Sequence, residues 1–174
     1  MPDDALTCAD PKADAGRSFW GLCSVTFPSR SCYLVGPMLV PYTGGCACGR
    51  VRYECREAPR HMFNCHCRDC QYASGSAYTA AMLVPVAGFA LLRGEPRYYQ
   101  RQHDDGRTID RGFCPDCGTP LFARLSRFPE LIGIRAGTLD DPSWFKPQFD
   151  FWTASAQPWD FMNPDLQKFE WQRG

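Results

Sequence analysis

Cysteine spacing constrains this chain more than any other feature. Eleven cysteines lie within 174 residues. An odd number cannot pair off completely within one chain. Seven of them fall into three tight groups, C-x-C at Cys46 and Cys48, C-x-C-x-x-C at Cys65, Cys67 and Cys70, and C-x-x-C at Cys114 and Cys117. Such spacings suit metal ligation better than a disulfide framework, whose partners usually lie further apart. They imply reduced thiols and therefore a cytoplasmic metalloprotein.

The group "FCPDCGTPLF" is the most specific. A C-P-x-C-G turn directs two thiolates to one point, and Gly118 permits a tight backbone exit. "GGCACG" offers a matching half, again with a glycine directly after the second cysteine. Together Cys46, Cys48, Cys114 and Cys117 make a closed four-cysteine structural zinc site, a staple that a small β-domain can use. The rival for these four is core or disulfide cysteines. The stretch "NCHCRDC" leaves three ligands, Cys65, Cys67 and Cys70, which is the pattern of a catalytic zinc with its fourth position open. The rival is a second structural zinc, completed by His66 or a residue from elsewhere. His66 stands between two ligands, so its side chain should point away from the metal, and it is the candidate proton shuttle beside the site. A zinc with three thiolates is a weak Lewis acid that favours a sulfur ligand over hydrolysis.

From Gly44 onward the chain reads as short strands. "VRYEC" alternates apolar and polar residues, and "SAYTAAMLVP" is a strand ended by Pro85. "FALLRG", "PRYYQRQ", "TIDRGFC", "PLFARL", "ELIGIRAGTL" and "PQFDFWTA" follow as further strands, and no segment shows a long helical period. The expectation is an all-β or mostly β domain over residues 42–174. Residues 1–41 carry five prolines and no periodicity, and read as an irregular, disordered leader. Met38, followed directly by "LVPYTGGCACG", is one candidate for the natural start, and the acidic N-terminus lacks the apolar run of a secretory signal. Lys+Arg and Asp+Glu both number 19, so the net charge of zero gives no reason to expect nucleic acid or an anionic membrane as partner. No apolar run reaches the roughly 20 residues of a spanning helix.

The motifs "GGCACGRVRYEC", "FNCHCRDCQYASGSAY", "RGFCPDCGTPLF" and "PQFDFWTASAQPWDF" resemble the glutathione-dependent formaldehyde-activating enzyme family, which includes the vertebrate centromere protein V. The resemblance runs from about Gly44 to the end and covers all seven grouped cysteines. It implies a β-tent fold of antiparallel sheets, similar to methionine sulfoxide reductase B. It implies two zincs per chain, a structural one on Cys46, Cys48, Cys114 and Cys117 and a catalytic one on Cys65, Cys67 and Cys70. It also implies a carbon–sulfur lyase that adds a thiol such as glutathione to a small aldehyde such as formaldehyde, or the reverse.

One rival remains in view and another is set aside. A non-catalytic zinc module for protein or nucleic acid is the alternative to an enzyme. A methionine sulfoxide reductase would need a nucleophilic cysteine late in the domain, and none follows Cys117. Arg50, Arg52, Arg68 and Arg111 are candidate cations for substrate carboxylates. Cys55 is expected as a buried thiol, His61 as isolated and His103 as solvated in its polar turn. Cys8, Cys23 and Cys32 receive no role.

Overall fold

A computed structural model of the chain describes residues 40–171. Apart from Val40 and Pro41, the expected leader, with Cys8, Cys23, Cys32 and Met38, lies outside the described residues. The remainder is mostly strand. A three-stranded sheet has the order β1 (Tyr42–Gly45), β2 (Arg52–Cys55) and β5 (Phe89–Arg93). The larger sheet has eight strands. They are β3 (His61–Cys65), β4 (Thr79–Pro85), β6 (Arg97–Gln102), β7 (Thr108–Phe113), β8 (Pro120–Leu125), β9 (Leu131–Arg135), β10 (Phe149–Phe151) and β11 (Gln167–Phe169). Their order across the sheet is β11-β10-β3-β4-β9-β8-β7-β6.

The mostly β expectation holds, with one change in strand direction. β10 runs parallel to both β3 and β11, whereas the other pairings are antiparallel. Parallel neighbours need a long connection, and β10 returns to β3 only after the whole meander has been laid down.

The period of two along each strand divides the large sheet into two faces. Met82 and Val84 of β4, Phe122 of β8, and Ile132 and Ile134 of β9 are sealed in one core with Val51, Tyr53 and Cys55. Tyr53 packs edge-on against Phe122 at 5.3 Å between ring centres, and Phe89 joins them. Its hydroxyl lies 2.9 Å from Thr138 Oγ1, which satisfies a buried polar group. Cys55 is 0% exposed, in keeping with its place on the apolar face of "VRYEC". The alternate residues, Ala81 and Leu83, Ala123 and Leu125, and Gly133 and Arg135, line a cavity instead.

One short α-helix, α1 (Arg68–Ser74), interrupts the strands. Seven residues are too few for an apolar period to be legible. Its start is set by Cys67, whose sulfur accepts from the Cys70 amide at 3.4 Å. Its end is set by Gly75, at φ 63°, whose N–H donates to the Gln71 carbonyl. Among the described residues no helix is long and apolar enough to cross a membrane.

Candidate metal centres and the cavity beside them

The sulfur atoms of Cys46, Cys48, Cys114 and Cys117 lie within 4.8 Å of one another. The two turns that carry them match. Gly49 and Gly118 take φ of 74° and 73°, a region that favours glycine, and each donates its N–H back to the carbonyl of Cys46 or Cys114 at 2.9 Å. The Val51 amide donates to the Cys46 sulfur at 3.2 Å. The Thr119 hydroxyl, aided by amides, holds the Cys117 thiol down to about 5. A tetrahedral zinc with bonds near 2.3 Å separates its sulfurs by about 3.8 Å. Cys46–Cys48 at 3.4 Å and Cys48–Cys114 at 3.8 Å fit that spacing. Among the described residues none of the four is in a disulfide.

Cys65, Cys67 and Cys70 form a second group, again within 4.8 Å, with Cys65–Cys67 at 3.5 Å. β3 ends on Cys65, and α1 presents Cys70 one turn after Cys67. The three thiols share hydrogen bonds unequally. Bonds from Cys65 and Cys67, then the charges of Arg135 and Arg111, hold Cys70 well below the ordinary thiol value. Cys65 is pushed well above it, first by its bonds to Cys67 and Cys70 and then by burial. Arg135 and Arg111 are thus the cations that act on this thiol group.

These three thiols line a cavity of about 760 Å³. The cavity takes charged side chains from five arginines, Arg68, Arg107, Arg111, Arg127 and Arg135, and one aspartate, Asp69. Burial pulls the Arg135 guanidinium below its ordinary pKa, and the Cys70 charge opposes this. Among the described residues its Nε has no hydrogen-bond partner. Of the arginines read as candidate cations, Arg68 and Arg111 lie on the cavity. Arg50 instead pairs with Asp116, and Arg52 with Asp140. His61 and His103 also line the cavity, and His103 Nδ1 lies 3.8 Å from Asp69. No sequence pattern singled them out, because only β3 pairing and the β6–β7 turn bring them to the cavity. Arg135 was missed for the same reason, standing on a strand that reads as ordinary core.

His66 does not line the cavity. It is 1% exposed, with Nδ1 at 2.6 Å from Asp160 and Nε2 at 3.4 Å from Asp150. Its amide donates to Phe151 O, and its carbonyl accepts from Gln71 Nε2 at 2.6 Å. Gln71 Nε2 also donates to Ser155 O. The loop that carries the three thiols is thus tied to the segment after β10. That segment includes Trp152, which lines the cavity in a left-handed conformation at φ 57°, rare for a bulky residue.

A mostly β domain with a four-thiol group and a separate three-thiol group on a cavity sets two clusters of thiols where each could hold a metal ion. The description "Glutathione-dependent formaldehyde-activating enzyme" matches residues 41–155, and the chain belongs to that family. A relative from Penicillium rubens, named for the same family, is 28% identical over 63% of this chain and 58% of its own length. One from Halomonas elongata, also named for the family, is 31% identical over 56% of this chain and 64% of its own. The matches thus span less than two thirds of the length of either relative. A crystal structure of a Rhodobacter sphaeroides protein is similar at a TM-score of 0.44 and 21% identity, over 56% of this chain and 87% of that one.

Proposed function

We propose that this chain is a zinc-dependent carbon–sulfur lyase-type enzyme that adds a thiol such as glutathione to a small aldehyde such as formaldehyde, or runs the reverse. The observation that carries the reading is the three-thiol group on a cavity rich in arginine, apart from the four-thiol group. In this reading Cys46, Cys48, Cys114 and Cys117 hold a structural zinc, and Cys65, Cys67 and Cys70 hold a second with its fourth position open. Zinc at the three thiols supplies a soft centre that keeps a thiol ionised at neutral pH. Glutathione is kept reduced in the cytoplasm, the compartment this reading assigns.

The chain's own side chains do the rest. In the addition a C–S bond forms as the carbonyl π bond opens, and the oxygen takes up one proton for the one the thiol loses. Arg111 and Arg135, the cations acting on Cys70, stabilise the charge that gathers on that oxygen. The other arginines of the cavity bind the carboxylates of an anionic thiol. His103 and Asp69, both partly exposed, carry protons to solvent. His66 acts as a positioning residue in this reading, since both its ring nitrogens face carboxylates. This role replaces the proton-shuttle role expected of His66 from sequence.

Exchange NMR on ¹³C-formaldehyde and glutathione tests the proposal. Zinc-loaded protein should speed the interconversion of free aldehyde and hemithioacetal, and Cys67→Ser should abolish the effect. An interconversion rate equal to that in buffer would leave a metal-binding module without this reaction.

A further inference from the structure

Thiols and arginines occupy only part of the cavity wall. Across β3, β4, β9 and β8 the facing residues pair in rows. Phe63 stands opposite Ala81 and Ala81 opposite Arg135, while Leu83 stands opposite Gly133 and Gly133 opposite Ala123. The middle of the floor is therefore made of Ala81, Ala123 and Gly133, with larger apolar side chains around it, among them Phe63, Leu83, Ile109, Leu125 and Phe149. Small residues between large ones make a hollow. Gly133 keeps its floor low, since a Cβ there would come within 3.2 Å of the Ala123 Cβ.

An apolar hollow is matched by an apolar ligand. Formaldehyde is little larger than a water molecule, which occupies about 30 Å³. It offers almost no surface to a wall of this kind. Glutathione carries two carboxylates, an ammonium group and two peptide bonds, which match the arginines and not the phenylalanines. Both partners together leave the hollow uncovered.

We infer that the aldehyde taken up here carries an apolar body, an alkyl chain of several carbons or an aryl ring. That body lies over Ala81, Ala123 and Gly133, with the carbonyl carbon toward Cys65, Cys67 and Cys70. The inference rests on the thiol–aldehyde reading of the site and names the aldehyde's class. The reaction is the same addition, with the C–S bond formed and the carbonyl oxygen protonated, so no further reactant is needed.

Stable thioethers of glutathione mimic the adducts and test this by binding. Calorimetry on the zinc-loaded full chain with S-methyl-, S-butyl-, S-hexyl- and S-octylglutathione should show Kd falling about fourfold per methylene until the hollow is full. Ala123→Leu should flatten that dependence, and Ala81→Leu is the second variant for the same purpose. In exchange NMR, hexanal should be accelerated more than formaldehyde. A Kd independent of chain length would overturn the inference. Acceleration of formaldehyde but not hexanal would overturn it too, with the thiol–aldehyde reaction left standing. Chain-length dependence without acceleration of any aldehyde would remove the reaction and, with it, the assignment of the apolar body to an aldehyde.

Discussion

The Nδ1 atom of His66 lies 2.6 Å from the Asp160 carboxylate, 94 residues further along the chain, and both side chains are sealed from solvent. Asp150 approaches the other ring nitrogen. The contact closes the C-terminal segment over the loop that carries Cys65 and Cys67. Removing Asp160 leaves the buried Nδ1 of His66 without its hydrogen-bond partner, at a cost of about 2 kcal/mol. Asp160→Ala should therefore lower the stability of the zinc-loaded protein by about that amount in urea denaturation. A change within a few tenths of a kcal/mol would mean that the pair does not hold the segment.

The two thiol groups should respond differently to loss of one ligand. Cys114 is 0% exposed and its turn joins β7 to β8, so Cys114→Ser should cost folding. Cys67 is partly exposed on the cavity, so Cys67→Ser should keep the circular dichroism spectrum and lose about one zinc per chain. Equal loss of fold in both would assign both groups to the scaffold.

Arg135 should matter through its charge. Arg135→Met keeps most of the side-chain volume and removes the cation beside Cys70. Loss of one preorganised charge at a reacting oxygen typically costs about a hundredfold in rate. Hemithioacetal exchange should fall by that order with the zinc content unchanged. A rate equal to wild type would take Arg135 out of the proposed reaction.

Alkaline pH should weaken the fold through Cys55. Burial raises its thiol from 9.0 to about 11. The folded state thus binds this proton more tightly than the unfolded chain does. Its contribution is complete below about pH 9 and declines as pH rises toward 11, by about 3 kcal/mol in all. Tyr42 and Tyr53, also raised by burial, add to the same decline at higher pH. Denaturation midpoints across this range should fall for the wild type and fall less for Cys55→Val. A flat profile would contradict the shift.

The sequence made the meander and the cysteine grouping legible for physical reasons. Alternation in "VRYEC" and the β-rich run "TAAMLVP" reports one buried face per strand, and β2 and β4 follow. Paired cysteines with a following glycine report a turn, and Gly49 and Gly118 adopt the φ such a turn needs. Strand β3 was hidden because "HMFNC" lacks a clean alternation and is held from both sides by β4 and β10. The cavity was hidden for a related reason. Its wall draws residues from six strands, α1 and the turns between them, and no local pattern distinguishes a strand face that meets a cavity from one that meets a core. The direction of His66 was half legible. Its place between two ligands said that it points away, and only the fold supplied Asp150 and Asp160 as its partners.

Metal content is the most direct test of the central claim, that one thiol group staples the fold and the other serves a reaction. Zinc per chain should be measured on protein purified without added metal. It should then be measured again after mild chelation while the fold is followed by circular dichroism. The account predicts two zincs, one of which leaves while the spectrum is unchanged and is not lost further from Cys67→Ser. Two zincs that both resist removal, or a fold lost with the first to leave, would contradict it and make "NCHCRDC" a second staple.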